Sequence, residues 1–375
     1  MYEHKGLGDI LFIMLYGGAT MLAVVACFYL LLTHGNIFSS TVNPPRSLRR
    51  WAAAFLASVA ASHVWWVVLG LYWLVDDRLM RNIVAITLDR LTFVPLMMVV
   101  LLRMLQDKHR KAWPIALAML PFAVIAVYSV IARSNAFEWF VEGYSFFIGI
   151  VFILYYVYAV RQYGRWLHDN FSDLEHKEVW QSLALLAFIL VVYMCYTSNE
   201  GALATEYLAQ VNTLIIIGFV LWRVETLQQL DAENAEEIVN SSETFESKED
   251  VAAFSIQANI GMLLEQQCKA KQLYLQHDLT LKQLSVVIGT NRTYLSAYFA
   301  QQGITYNTYI NSLRIEHFIS LYRKSAESSL SVNATKLAQQ SGFGSYSTFS
   351  VAFKRYTGST VSAWMRQEAC SHDIA

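Results

Sequence analysis

The stretch TLKQLSVVIGTNRTYLSAYF, residues 280–299, decides how the C-terminal part of this chain folds. Thr280 and Gln283 form the pattern of a capping box at the start of a helix. The apolar residues of that helix are Leu281, Leu284, Val287 and Ile288. Gly289 ends it, and Asn291 can cap a second helix. The inward-facing residues of the second helix are Leu295 and Phe299. The stretch therefore predicts two short helices joined by a tight turn.

A second copy of this pattern follows in the chain, in which Phe349 corresponds to Leu295 and Phe353 to Phe299, each 54 residues later. Asn333 can cap its first helix, which carries Leu337 and Ala338, and Gly342 and Gly344 lie in the turn. The next helix, from Ser345, would bury two residues, Phe349 and Phe353. Between the copies, Thr305 to Tyr322 predicts a longer helix with one apolar face, formed by Tyr306, Ile310 and Leu313.

These residues resemble the AraC family of bacterial transcription regulators, whose DNA-binding domain has two helix-turn-helix units joined by a long helix. The matching pieces are Gly289 to Phe299, Tyr309 to Ile315, Leu337-Ala338, Gly342-Phe343, Ser347 to Phe349, Phe353-Lys354 and Gly358 to Arg366. The resemblance covers about the last third of the chain. It implies that each second helix enters a major groove, with the two grooves about one turn, roughly 34 Å, apart.

Three positions depart from the family pattern: Ala297 stands where Arg is usual, Ala300 where Lys or a polar residue is usual, and Val361 where Pro is usual. The two alanines remove contacts to phosphates or bases, so we expect the first unit to bind DNA more weakly than the second. The charge of the segment suits DNA, because residues 251–375 contain eleven Lys and Arg against six Asp and Glu.

Side chains early in a recognition helix reach base edges, and cations reach phosphates. The predicted DNA-binding residues are Arg292, Thr293, Ser296, Ser345, Tyr346, Ser350, Lys354 and Arg355. The alternative is that a residue in this set is only solvated helix surface. We expect about half of them to make no contact, since reach depends on how the domain docks.

The rest of the chain is apolar, which explains why 55 % of all residues are hydrophobic and only 15 % are charged. Segments of about 20 apolar residues match the roughly 30 Å hydrocarbon core of a bilayer. The predicted spans are Ile10 to Leu32, Trp51 to Val75, Ile83 to Leu102, Trp113 to Ala132, Trp139 to Val160, Trp180 to Tyr196 and Leu203 to Trp222. The first is longer than the core of a signal peptide, so we expect it to be retained.

The distribution of Lys and Arg predicts the orientation, because cytoplasmic loops retain positive charge. One set of alternate loops holds ten such residues: Arg46, Arg49, Arg50, Arg103, Lys108, Arg110, Lys111, Arg161, Arg165 and Lys177. The other set holds four: Lys5, Arg78, Arg81 and Arg133. We therefore expect the N-terminus outside and the C-terminal domain in the cytoplasm of a bacterium, anchored in the inner membrane.

The predicted architecture is all-α: a bundle of seven spans over residues 1–223, an acidic linker over 224–250, and a soluble DNA-binding domain over 251–375. The linker contains nine acids and one base, which predicts a hydrated spacer. Val224, Leu227 and Leu230 are spaced as in a dimeric helix, but Asp231 and Asn234 fall at positions where a coiled coil needs apolar residues.

Ionisable residues inside spans are costly and often functional. His63, Asp89, Arg90 and Glu142 are candidates for an outward-facing site that binds a small-molecule or membrane signal. An interhelical structural network is about as plausible a role for Asp89 and Arg90. The expected partners are promoter DNA, RNA polymerase, the lipid bilayer and a second copy of the chain in a homodimer.

The leading hypothesis is a membrane-anchored transcription regulator. The alternative is a seven-span transporter or receptor with a regulatory helix-turn-helix domain, which would predict inverted repeats and spans broken by glycine or proline. Only Pro95 and Pro121 interrupt the spans. No cofactor and no metal ion are expected, because the four cysteines are far apart. An enzyme is not expected, since the sequence contains no recognisable phosphate-binding loop or paired-histidine metal motif.

Overall fold

The computed structural model describes residues 7–33, 36–38, 42–74, 76–108, 110–187, 203–230, 259–327 and 333–372. Within these ranges the regular elements are helices, and one isolated antiparallel bridge joins Phe171 and Thr280. The chain divides into two compact units. The first comprises Met1–Gln162 and Val179–Ala232, and the second comprises Tyr163–Glu178 and Glu233–Ala375.

The first unit is built from long apolar helices. They are α1 (Leu7–Leu32), α2 (Arg46–Val68, continued by a π-helical turn Leu69–Trp73), α3 (Arg78–Arg103), α4 (Trp113–Ala132), α5 (Glu138–Asn170) and α6 (Leu203–Thr226). Helices α1 to α4 pack in chain order, each against the next, and α6 packs against α1 and α2. The last two turns of α5, from Tyr163 onward, are counted with the second unit.

Six helices among the described residues are long and apolar enough to cross a membrane. They correspond to six of the seven predicted spans. The remaining one, Trp180 to Tyr196, lies mostly outside the described residues, of which only 181–187 are helical there. Helix α5 extends ten residues past the predicted span end at Val160, so Arg161 and Arg165 belong to a helix and not to a loop.

The surface of the first unit suits a lipid environment, because large apolar side chains point outward. Met14, Val124, Ile131 and Leu154 are between 66 % and 79 % exposed. Contiguous apolar surface of this kind is unfavourable in water and is favourable in a bilayer. The helices therefore have both the length and the outer surface of membrane spans.

The end of α6 and the residues after it are fixed to the end of α1, the start of α2 and the loop after α3. The Arg49 guanidinium forms an ion pair of 3.2 Å with the Glu225 carboxylate, and the Tyr29 hydroxyl donates to the same carboxylate at 2.9 Å. Beyond α6, the Leu230 N–H donates to Gln106 Oε1 at 2.9 Å. Val224, Leu227 and Leu230 are buried. Residues 224–230 are thus packed within the first unit, which differs from the predicted hydrated spacer starting at Val224.

In its described residues from 259 onward, the second unit has short helices around two separate apolar cores. A π-helical turn (Leu264–Lys269) and a 3₁₀ turn (Leu273–Leu275) precede α7 (Leu281–Val287), α8 (Arg292–Gln301), α9 (Tyr306–Glu327), α10 (Ala334–Gln340), α11 (Tyr346–Thr357) and α12 (Val361–His372). One core lies around Leu284, Leu295 and Phe299, and the other around Phe318, Phe349 and Phe353. Helix α9 contributes to both cores, so it connects the two halves.

Candidate nucleic-acid interface

The first pair of short helices, α7 and α8, begins and ends at the predicted residues. The Thr280 hydroxyl accepts from the Gln283 N–H while the Gln283 side chain accepts from the Thr280 N–H, which completes the capping box. Gly289 follows α7 with φ +72°. The Asn291 side chain accepts from the Thr293 N–H and caps α8. Caps of this kind stabilise a helix by about 1 kcal/mol each.

The second pair, α10 and α11, is capped in the same way by Asn333 and Ser345. In the turn between them, Gly342 has φ +90°, and a Cβ there would lie 2.8 Å from Leu275 Cα and from the Tyr274 carbonyl oxygen. A side chain is therefore excluded both by conformation and by the close approach of another backbone segment. The glycine in this turn fixes how α10 and α11 sit against residues 274–275.

The apolar residues predicted to face inward are buried. Leu295, Phe299, Phe349 and Phe353 are at most 2 % exposed, and Tyr306, Ile310 and Leu313 of α9 are also buried. Val287 differs from the rest of its predicted set, because it is 47 % exposed while Leu281, Leu284 and Ile288 are buried. Val287 is the last residue of this seven-residue helix, and neighbouring Val286 is exposed with it.

The predicted DNA-binding residues of α8 lie in its first two turns. Thr293 and Ser296 are exposed, whereas Arg292 is half-buried. Nε and Nη2 of Arg292 both donate to Asn170 Oδ1, at 3.1 and 2.5 Å. Asp169, Ser296 and Ala300 line one shallow cavity. The end of α5 therefore lies against the face of α8 that carries Arg292 and Ser296.

The predicted DNA-binding residues of α11 are placed differently. Tyr346, Lys354 and Arg355 are exposed, and Ser350 is half-buried, with its hydroxyl donating to the Ser347 carbonyl oxygen. Ser345 is the helix cap: its hydroxyl accepts from the Thr348 N–H and also contacts the Ser347 and Thr348 hydroxyls. The Ser345 hydroxyl is thus occupied by capping, while Lys354 and Arg355 present positive charge in the last turn of the helix.

The candidate membrane site is only partly brought together. Asp89 accepts from the Ser62 hydroxyl at 2.6 Å and from Trp66 Nε1 at 2.9 Å, and His63 contacts Gln210 Oε1 at 2.9 Å. Arg90 lies over the Phe122 ring, 5.9 Å from its centroid, and Glu142 is exposed on α5. His63 and Asp89 are therefore held in networks between helices, and Arg90 contacts α4 instead.

Arg314 lies at the centre of the second unit. The sequence patterns singled it out only as part of the segment Tyr309 to Ile315. It is 1 % exposed, and its guanidinium donates to the carbonyl oxygens of Tyr274, Gln276 and His277 at 2.6 to 3.0 Å. Burial lowers the pKa of Arg314 to about 10, so it remains charged at neutral pH. Its place on the same apolar face as Ile310 and Leu313 was the signal that it is buried.

The segment between α5 and residue 178 was also missed as part of this unit. Asn307 Nδ2 donates to the carbonyl oxygens of Phe171 and Ser172, at 3.2 and 2.9 Å. The Ser172 N–H donates to the Leu279 carbonyl oxygen at 3.3 Å, and Lys177 forms an ion pair of 3.2 Å with Asp278. Sequence patterns give no signal for this association, because it joins residues more than 100 positions apart.

Comparison with known proteins supports the helix-turn-helix assignment. Residues 284–367 match the family described as a helix-turn-helix domain. The chain is 32 % identical over 98 residues to an uncharacterized HTH-type transcriptional regulator of Staphylococcus aureus strain MRSA252, and 31 % identical over 98 residues to one of strain COL. A third, from Staphylococcus aureus, is 29 % identical over 122 residues.

These matches are confined to a small part of each protein. They cover 26 % of this chain and 12 % of the first two relatives, and 29 % of this chain and 15 % of the third. No solved structure matches the chain significantly. The chain therefore carries a C-terminal helix-turn-helix domain similar to that of HTH-type transcriptional regulators.

Proposed function

We propose that this chain is a membrane-anchored, sequence-specific DNA-binding regulator of transcription. Its C-terminal unit binds promoter DNA in the cytoplasm, and its apolar helices hold it in the inner membrane. The observation that carries the proposal is that the pairs α7–α8 and α10–α11 are built in the same way. Each pair is capped and each second helix buries two large apolar residues inward, which leaves its opposite face for a groove.

The charge and the side chains on those outer faces support DNA as the ligand. Thr293 and Ser296 on α8, and Lys354 and Arg355 on α11, are exposed. Hydroxyls can bond to base edges or phosphates, and cations neutralise phosphates. The AraC-like arrangement of two units on α9 supports binding to successive grooves of one duplex, and RNA polymerase is the expected further partner.

The apolar helices support anchoring. Six described helices have the length and composition of spans, and their large side chains face outward. Together with the excess of Lys and Arg in one set of loops, this favours a C-terminal domain on the cytoplasmic side. A seventh span is needed for an outside N-terminus, and the segment predicted for it lies mostly outside the described residues.

The test is genome-wide mapping of DNA crosslinked to the full-length chain in bacterial cells, combined with membrane fractionation. We expect reproducible sites bound by protein in the membrane fraction. The double variant Arg292→Ala/Lys354→Ala should lose those sites, and Arg323→Ala, which changes a cation paired with Glu368 on α12, should keep them. Recovery of DNA only with a soluble fragment would exclude tethered action, and absence of any enriched site would exclude the proposed function.

Signal sensing is a further part of the proposal and depends on the polar contacts between spans. The Asp89 carboxylate joins α3 to Ser62 and Trp66 of α2, so a ligand that competes for these bonds would change how the two helices pack. Replacing Arg90 by Leu tests the adjacent position in a reporter assay. An unchanged response would remove Arg90 from the sensing role.

A further inference from the structure

Residues 163–178, here called the docked segment, pack against the first helix-turn-helix pair. Phe171, Ser172 and Lys177 are at most 6 % exposed. Their partners are backbone groups of residues 277–280 and the side chains of Asp278, Asn307 and Arg314. The segment is therefore held by buried, directional contacts, and its position relative to α8 is well defined.

This packing brings two side chains from the end of α5 onto the DNA-facing side of α8. Asn170 Oδ1 takes two donors of the Arg292 guanidinium. Asp169 lies beside Ser296 and Ala300. A phosphate or a guanine edge would have to lie about 2.7 to 2.9 Å from the same guanidinium to be bound. Asn170 and DNA cannot occupy that place together.

The contact is also unfavourable to DNA for a second reason. The Asp169 carboxylate lies at the face of α8 that a DNA backbone would approach. Its negative charge would repel the phosphates at short range. Because Ala300 is small, there is room for the end of α5 at this position. A long cationic side chain at position 300 would occupy that space. The departure from the family pattern at Ala300 thus lies beside the end of α5.

We propose that the docked segment is an intramolecular inhibitor of the first helix-turn-helix unit, and that this unit binds DNA only when Asn170 leaves Arg292. This inference rests on the proposed function. Because α5 also contains the apolar residues 138–162, the same helix carries a membrane-facing part and the inhibitory contact. A signal that favours a different position of α5 would shift the population toward the DNA-binding state.

The bridge between Phe171 and Thr280 allows the segment to be locked. The Ser172 N–H bonds to the Leu279 carbonyl oxygen, so Phe171 and Thr280 form the closely spaced, non-hydrogen-bonded type of antiparallel pair. In such a pair the Cα atoms lie about 4.5 Å apart, which suits a disulfide. When the variant Phe171→Cys/Thr280→Cys is oxidised the segment is held docked, and when it is reduced the segment is free to leave, so one protein provides both conditions.

The experiment uses the full-length chain in detergent and a pool of random-sequence duplexes. Duplexes enriched by the reduced double-cysteine variant are then used to measure affinity. We expect oxidation to weaken binding by about tenfold or more, since one guanidinium contact contributes on the order of tenfold to a hundredfold. Each single-cysteine variant under the same oxidant controls for the native thiols and for the loss of Phe171 or the Thr280 cap.

Two point variants test the role of Asn170 itself. Asn170→Ala should bind the enriched duplex more tightly than the unaltered chain, and His176→Ala, an exposed position of the same segment, should bind like the unaltered chain. Adding Arg292→Ala to the double-cysteine variant should reduce the effect of oxidation to the part that comes from Asp169.

The outcomes separate the two proposals. If a duplex is enriched but the oxidised and reduced forms bind it equally, the inhibitory role is overturned and DNA binding stands. If no form of the protein enriches any duplex, the proposed function itself fails.

Discussion

Arg314 Nε lies 2.7 Å from the carbonyl oxygen of Tyr274, and this bond ties the middle of α9 to the turn that precedes α7. The same guanidinium reaches Gln276, His277 and Ser172, and lies over the Phe343 ring. Arg314 therefore connects the first apolar core, the turn between α10 and α11, and the docked segment. We expect the stability of the second unit to depend on this cation more than on any exposed ion pair.

Replacing Arg314 by Met should destabilise the second unit by roughly 3 kcal/mol or more, because several buried carbonyl oxygens lose their donor. Arg323→Met, which breaks only the exposed pair with Glu368, should cost less than about 1 kcal/mol. The measurement is the urea concentration at which the C-terminal part of the full-length protein becomes susceptible to a short protease pulse. Equal midpoints for the two variants would contradict the central role of Arg314.

Gly342→Ala should be far more damaging than Gly303→Ala, although both positions have positive φ. A Cβ at Gly342 meets backbone atoms at 2.8 Å, whereas a Cβ at Gly303 meets nothing within 4 Å. Gly303→Ala should cost about 1 kcal/mol from conformation alone, and Gly342→Ala several times that value. Protease-pulse midpoints in urea compare them, and a Gly342→Ala midpoint as high as that of Gly303→Ala would show that residues 274–275 do not constrain the turn.

Glu225→Gln should destabilise the membrane unit by roughly 3 to 5 kcal/mol, since it leaves the Arg49 cation buried without its anionic partner. Arg49→Met combined with Glu225→Gln should recover much of that loss, because no unpaired buried charge remains. Thermal inactivation of the detergent-solubilised chain, followed by loss of monodisperse protein, gives the ranking. A double variant as unstable as Glu225→Gln alone would argue against the ion pair as the cause.

Cys268 should react slowly with alkylating reagents in the folded protein. Burial raises the pKa of this thiol to about 11, so at pH 8 its thiolate fraction is about a hundredfold below that of a thiol with the ordinary pKa of 9.0. Since the folded pKa is raised, its stabilising contribution is complete below pH 9 and is lost as pH rises toward 11. Isotope-coded iodoacetamide labelling of the folded and urea-unfolded chain measures the difference, and equal rates would contradict it.

Lys354→Ala should weaken binding to the enriched duplex and reduce the slope of log affinity against log salt by about 1, as expected for one lost phosphate contact. Arg323→Ala should leave that slope unchanged. Fluorescence anisotropy at several salt concentrations gives both quantities. An unchanged slope for Lys354→Ala would place its side chain away from the DNA backbone.

Local structure in the C-terminal part could be predicted because it is encoded by short-range physics. A capping side chain bonds to a backbone N–H two or three residues away, so Thr280, Asn291 and Asn333 are recognisable in the sequence. Helical periodicity identifies Leu295, Phe299, Phe349 and Phe353 as core by the same logic. It fails for Val287, because a seven-residue helix gives too few turns to define one face.

The candidate site was predicted less completely. The sequence predicts that Arg292 contacts DNA, but it gives no sign that Asn170 binds the Arg292 guanidinium. It also predicts that Ser345 contacts DNA, whereas in the structure the Ser345 hydroxyl caps α11. Both depend on which atoms lie nearby in three dimensions. Hydroxyl and guanidinium groups bind any acceptor or donor within reach, so residue type alone does not identify the partner.

The sequence by itself determined the helical class, the positions of the short capped helices and the six apolar helices of the described part, since these follow from composition, period and local hydrogen bonds. Only the tertiary structure decided that residues 163–178 pack with the C-terminal unit and that Arg314 joins its parts. The reason is that such contacts connect residues more than 100 positions apart, and their free energy comes from burial and bond geometry that no local pattern contains.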